Sequence, residues 1–300
     1  MTCQKWVRSS LRHLSKRLQQ SGKTVCPATI GRLMRQQNYS LKVNVKREAG
    51  MDHPDRNCQF EYLIAQKEAF LNANQPVISV DTKKKELIGN FKNPGQNWCL
   101  EAERVNLHDF PQDAIGRAVP YGIYDVAANR GFVCVGDSAD TPEFAVSAIV
   151  LWWETQGQSL YPKATQLLIL CDAGGSNGCR LRLFKQQIQE QLSDRFGLEV
   201  TLCHYPTSCS KWNPIEYRLF APISINWAGV PLRTFDVMLS CLRGTTTKTG
   251  LQVNASLLSK VFVTGLRVSD RVMKALKVRL HRVCPRWNYT FQPRLTVLCD

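Results

Sequence analysis

The sequence predicts an α/β protein: a mixed sheet with helices on both faces, preceded by a small helical segment. Three observations carry this. Short apolar runs of strand length, bounded by turn residues, recur between residues 76 and 204. The earlier runs follow one another closely, as in an antiparallel meander, whereas the later ones alternate with helical stretches, as parallel β-α-β units do. Before residue 76 the apolar spacing is helical instead.

The elements follow in order. Trp6, Leu11, Leu14 and Leu18 fall near one helical face, and Ser21-Gly22-Lys23 ends that helix. A second helix enters at Cys26-Pro27, with Ile30, Leu33 and Met34 inward and Arg32, Arg35, Gln36 and Gln37 outward. Two short helices joined by a Gly-containing turn have the layout of a helix-turn-helix DNA reader, which makes Arg32 and Arg35 its candidate DNA contacts. Such a pair normally packs on a third helix, so a preceding segment of a longer protein is expected. Residues 42–57, polar with Gly50 and Pro54, read as a linker or wing, and a helix spans about 58–74. The run over 77–81 ends on Asp81, and 86–91 reads as its hairpin partner. Strands at 119–126 and 132–136 extend the meander, and a helix covers 142–156. A second apolar strand, 166–172, ends on Asp172; a Gly-rich turn, a helix over 180–196, a strand over 198–204 and a helix near Pro214 complete the pattern.

Charge adds a partner. The net charge of +15 is carried by the two ends: residues 1–75 hold 13 basic against 5 acidic residues, residues 267–294 hold 8 against 1, and residues 76–266 are nearly balanced. A balanced middle between basic ends points to a polyanion, most often nucleic acid, although basic ends also serve solubility alone. The longest apolar stretch, 145–153, is interrupted by Ser147 and falls far short of the roughly 20 residues of a membrane span. Scattered basic residues in the first 20 positions do not form a secretory leader, so a soluble, cytoplasmic protein without membrane partners is expected. The twelve cysteines include no C-x-x-C pair, which argues against zinc fingers and for reduced thiols.

The chemistry rests on carboxylates. Asp81 and Asp172 both close apolar strands, where side chains enter the ligand crevice of an α/β sheet. Two such acids can share a divalent metal, and phosphoryl-transfer enzymes use metal pairs held this way. Glu216, on the helix after the next strand, is the candidate third acid. Each has a structural alternative: Glu216 in a capping box with Asn213 and Pro214, and Asp172 as a cap for the turn Ala173-Gly174-Gly175. Their joint occurrence in strand, strand and helix order favours the site, and Asp125, which also ends an apolar run, stands in reserve as a metal ligand.

At these residues the chain resembles the DDE transposases of bacterial insertion sequences, of the ISAzo type. The stretches that carry the resemblance are VISVDTKKKELIGNF (77–91), HDFP (108–111), PYGIYDVAAN (120–129), DAGGSNG (172–178), HYPTSCSKWNPIEYRLF (204–220), TTTKTGL (245–251) and WNY (287–289). The resemblance implies an RNase H-like catalytic domain over 58–266, between a partial helix-turn-helix segment at 1–57 and a basic C-terminal segment at 267–300. It implies that Asp81, Asp172 and Glu216 are catalytic and bind two Mg²⁺ or Mn²⁺ ions, and that the substrates are terminal inverted repeats and target DNA, acted on by a possible homo-oligomer. Pro214 and Tyr217 depart from the polar residue and histidine usual in that family. Around this core, Lys83, Lys84, Lys85, Asn177, Lys211, Trp212 and Asn213 are candidate DNA contacts, whereas His204 reads as a packed strand-end histidine. Two other functions are weighed: a metal-dependent nuclease without strand transfer, and an inactive DNA-binding derivative of a transposase.

Overall fold

In the computed structural model, which describes residues 9–41 and 53–294, the chain divides into two units, Met1–Gly50 and Met51–Asp300. Trp6 and most of the expected linker or wing lie outside the described residues. In the first unit, the Ser10 hydroxyl caps α1 (Leu11–Gln20) by accepting from the His13 N–H at 3.2 Å. Gly22 turns the chain at φ +80°, and the Ser15 hydroxyl ties the turn by donating to the Val25 carbonyl at 2.6 Å. Pro27 then opens α2 (Pro27–Gln36), whose Gly31 lets Leu11 approach; a Cβ there would sit 3.1 Å from Leu11 Cδ1. The expected helix pair is present, with Ile30 inside and Arg32 and Arg35 exposed.

The second unit begins with α3 (Arg56–Asn72), followed by β1 (Val77–Thr82), β2 (Glu86–Ile88), β3 (Gly116–Asp125) and β4 (Arg130–Gly136). Next, α4 (Pro142–Trp152), capped by Thr141, widens through a π-helical stretch at Trp153–Gly157 into α5 (Gln158–Leu160). After β5 (Gln166–Asp172), α6 (Arg182–Gln187) widens similarly at Ile188–Asp194 and leads to β6 (Glu199–Tyr205). A widened turn at Glu216–Phe220 opens α7 (Ala221–Asn226), and α8 (Phe235–Arg243), β7 (Gln252–Leu258), α9 (Asp270–Lys274), β8 (Val278–Leu280) and β9 (Asn288–Phe291) complete the chain.

One sheet runs in the order β7-β4-β3-β1-β5-β6-β9-β8. β1, β3 and β4 pair antiparallel, while β5 and β6 continue parallel to β1, which is the mixed, RNase H-like arrangement expected. Strand alternation divides the core. Ile78, Val80, Leu167, Ile169 and Cys171 face α4 and α6, whereas Val77, Leu168 and Leu170 face α3 on the other side. On that second face Tyr124, Val133 and Val135 meet Ile215, Leu219 and Phe220 of the Glu216 segment, together with α8. The sheet is thus covered on both faces.

One expectation is corrected. The 86–91 run is not the hairpin partner of β1: β2 pairs with residues 116–118 of β3, because both edges of β1 are taken by β3 and β5. The stretch after residue 267 contributes β8 and β9 to this sheet, where β9 pairs with β6 and β8 pairs with β9. Tyr289 and Phe291 join the main core with no exposed surface, and that burial is what holds this end of the chain in the sheet.

Candidate active site

β1 and β5 run parallel with Val80 opposite Cys171, so the next residues, Asp81 and Asp172, stand side by side where the two central strands end. This follows from sequence: the four residues before each aspartate are buried and, Ser79 apart, apolar, and the first carboxylate marks where the sheet opens to water. Asp81 is pushed up to about 7, chiefly by burial and then by the Asp172 charge, against the pull of the Thr82 N–H, which donates to its Oδ1 at 2.7 Å. Asp172 is pushed up to about 6 by burial and by Glu216, opposed by the Asn213 amide. Glu216 is also raised by burial, with Lys83 opposing. Asp81 and Asp172 each feel the charge of Glu216, so the three predicted acids share one electrostatic field.

Glu216 reaches this field because the sheet beneath its segment is bare. Gly122 of β3 lies opposite Asp81, and a Cβ there would come within 3 Å of the Phe220 ring and 2.9 Å from Ile215 Cδ1. Gly131 of β4 leaves similar room for Leu219. The capping-box alternative is not formed: the Asn213 N–H donates to the Ser210 carbonyl, not to the Glu216 carboxylate. The Asp172 carboxylate accepts from Asn213 Nδ2 at 3.3 Å and does not cap its own turn.

Asn213 is completely buried. Its Nδ2 donates to Asp172 and to the Val80 carbonyl, while its Oδ1 accepts the Ser79 hydroxyl, which in turn accepts from the Ile215 N–H. It is therefore a brace between β1, β5 and the Glu216 segment, and the expected DNA contact is corrected to that role. Asn177 is corrected likewise: it is buried and its Oδ1 accepts from the Tyr121 hydroxyl at 2.7 Å. Lys83 is largely covered, 3.5 Å from Glu86 Oε1 and 4.5 Å from the Trp227 ring centroid. Lys84 is exposed, and Lys85 stands 3.8 Å from Asp140. Trp212 is 52% exposed with Lys211 lying over its ring, so this pair does present a cationic aromatic surface.

Asp125 does not join the acids. It pairs across from Ile78, at the opposite end of β1, and accepts from the Ala127 and Ala128 N–H groups and the Tyr161 hydroxyl, so its reserve role as a ligand is corrected to a turn cap. His204 is buried and pushed down to about 4; its Nδ1 lies 3.0 Å from the Asp172 carbonyl and its Nε2 2.8 Å from the Tyr289 hydroxyl. Donation to that carbonyl requires the proton on Nδ1, leaving Nε2 to accept from Tyr289. Sequence reasoning missed Asp140, whose Oδ1 accepts from the Thr82 hydroxyl at 3.3 Å and whose charge also raises Asp81. It sits in a loop, and nothing in the strand pattern marks it.

Three carboxylates with raised affinity for a proton form a hard-oxygen donor set whose repulsion a divalent cation relieves, which fits Mg²⁺ or Mn²⁺ in chemistry. Among the described residues no three His, Cys, Asp or Glu side chains close around a single point, so the acids form an open set, not a preformed cage.

These features define an RNase H-like α/β protein with paired acids at the ends of its central strands. The chain belongs to the ISAZ013 family of DDE transposases: it matches the family described as "Rhodopirellula transposase DDE domain" over residues 1–293. No curated protein matches it. Among solved structures it is similar to the "Mos1 transposase paired-end complex with left transposon end", at 11% identity and TM-score 0.47, covering 79% of this chain and 70% of that one. It is also similar to the "Mos1 mariner paired end complex with Mn", at 12% identity and TM-score 0.45, covering 76% of this chain and 64% of that one. Among the described residues no helix is long and apolar enough to cross a membrane.

Proposed function

We propose that this chain is a DNA transposase that cleaves DNA at the ends of an insertion sequence and transfers the freed strand to target DNA in the presence of Mg²⁺ or Mn²⁺. The observation that carries this reading is the side-by-side placement of Asp81 and Asp172 within the field of Glu216, on a chain of the DDE family. Asp81, Asp172 and Glu216 are the residues to hold two divalent ions. Such ions activate an attacking oxygen and stabilise the leaving one. The chain's own part is to keep the acids in place: Asn213 orients Asp172, the Thr82 N–H orients Asp81, and Lys83 holds positive charge near Glu216. Arg32 and Arg35 on α2, with Lys84, Lys211 and Trp212, are exposed and suited to binding DNA in this reading. Assembly as a homo-oligomer and action in the cytoplasm belong to the same proposal; fully exposed Trp98 and Leu100 in the β2–β3 connection supply apolar surface for assembly.

The test uses labelled duplexes bearing the inverted repeats that flank the gene, with Mg²⁺ or Mn²⁺. Cutting by the native chain is expected, with none by Asp172→Asn or Glu216→Gln, while gel-shift affinity without metal stays within about twofold. Cutting by Asp172→Asn would overturn the assignment. Joining of a pre-cleaved end to target DNA separates a transposase from a nuclease.

A further inference from the structure

The turn that follows Asp172 opens onto a cavity of about 980 Å³, bounded by Gly174 and Gly175, by Arg180 and Lys185, and by Arg286 and Trp287 of the β8–β9 connection. Its wall carries three basic side chains against one carboxylate, Asp55. Among the described residues none of Arg180, Lys185 and Arg286 has a carboxylate within ion-pair distance. Asp55, also on the wall, lies 3.7 Å from His53, which packs against Trp287 with ring centroids 4.8 Å apart. Lys185 is half-buried, its amine 4.8 Å from the Tyr289 ring centroid and pushed down by burial. Keeping an unpaired cation out of water is costly unless an anion enters beside it.

The wall next to the acids is backbone. A Cβ at Gly174 or Gly175 would meet nothing within 4 Å, and Gly175 has φ +67°, so the turn is both open and glycine-dependent. The volume lies at the upper end of small-ligand cavities, enough for one or two unstacked nucleotides. The turn begins directly after Asp172, so the cavity adjoins the end of the strand that carries this acid.

We propose that this cavity is a subsite for single-stranded nucleotides adjoining the phosphodiester at the acids, with Arg180 and Lys185 taking phosphate and Arg286 the backbone beyond. The assignment of that neighbouring phosphodiester rests on the proposed DNA-cleaving function; binding of the single strand does not.

Fluorescence anisotropy in EDTA, comparing a blunt duplex with the same duplex carrying a three-nucleotide overhang, tests it without cutting. The native chain should prefer the overhang by about tenfold, as expected for charge-assisted phosphate binding. The Arg180→Glu/Arg286→Glu double variant, altered at exposed positions, should bind both probes equally, and its salt dependence on the overhang should be shallower by about one for each phosphate it no longer neutralises. Lys163→Glu, at an exposed site before the start of β5, should retain the preference. A 4-thiothymidine in the overhang should photocrosslink to residues 173–187 or 282–287. No preference in the native chain, a preference kept by the double variant, or crosslinks elsewhere would each overturn the subsite. A chain that prefers the overhang yet never cuts refutes only the transposase reading; one that cuts without preference refutes only the subsite.

Discussion

Asn213 carries more of the site than its neutral side chain suggests. It spends both ends of its amide inside the protein, on Ser79 and on Asp172, so removal leaves a buried hydroxyl and a buried carboxylate short of a partner. Asn213→Ala should cost about 1–3 kcal/mol in urea unfolding and raise Asp172 further, because the amide's opposing pull is gone. An unchanged urea midpoint would remove Asn213 from the brace. Asp81 sets a pH dependence of definite sign. Raised from 3.8 to about 7, it holds a proton in the folded chain that the unfolded chain has already released between about pH 4 and 7. Stability of the metal-free protein should therefore fall as pH rises through that window, whereas a carboxylate lowered by folding gives the opposite slope. Thermal melts in EDTA at pH 5 and pH 8 check this, and Asp81→Asn should flatten the difference. Added Mg²⁺ should stabilise more at pH 8 than at pH 5, since the ion competes with the proton for the same oxygens.

The elements show why some of this was legible in the sequence and some was not. β1 and β5 announce themselves as apolar runs ending on aspartate, and that pattern alone located two acids and the edge they share. The partner of β2 was not legible, because alternation marks a strand without naming its neighbour. Asn213 and Asn177 were misplaced for a related reason: a polar residue near an acid reads as a surface group, and only burial reveals that its hydrogen bonds point inward. Gly122 is the least visible and carries a sharp prediction. It stands beside Asp81 and under Phe220 and Ile215, so Gly122→Ala must lift the Glu216 segment from the sheet. We expect a folded protein destabilised by about 1–3 kcal/mol, with metal-dependent cutting reduced more than tenfold and EDTA-phase DNA binding unchanged. Full activity in this variant would show that Glu216 does not need its close seat on β3.

At the scale of the whole molecule, the +15 charge is distributed differently from what two basic ends suggest. Of the C-terminal share, Arg279, Arg282 and Arg286 are carried on β8 and its connection to β9, within the same sheet as the acids, and Arg271 and Lys274 on α9. β9 covers the outer edge of β6, with Val200 opposite Phe291 and Leu202 opposite Tyr289. Tyr289 also accommodates the neutral His204 ring that holds the Asp172 carbonyl, and Asn288 donates to Gln59 of α3 at 2.6 Å. Burial of large apolar side chains contributes about 1.5–3 kcal/mol each, so Tyr289 and Phe291 alone account for several kcal/mol in a domain whose net stability is typically about 5–15. A chain ended at residue 276 should therefore lose cooperative unfolding, expose the β6 edge and aggregate, whereas a dispensable basic arm would leave a soluble core with weaker DNA affinity. Urea unfolding of the truncated chain decides between them: a sigmoidal transition at the native midpoint would mean that the hairpin is an arm after all, and its absence would mean that the charge meeting DNA at this end belongs to the same folded unit that holds the acids.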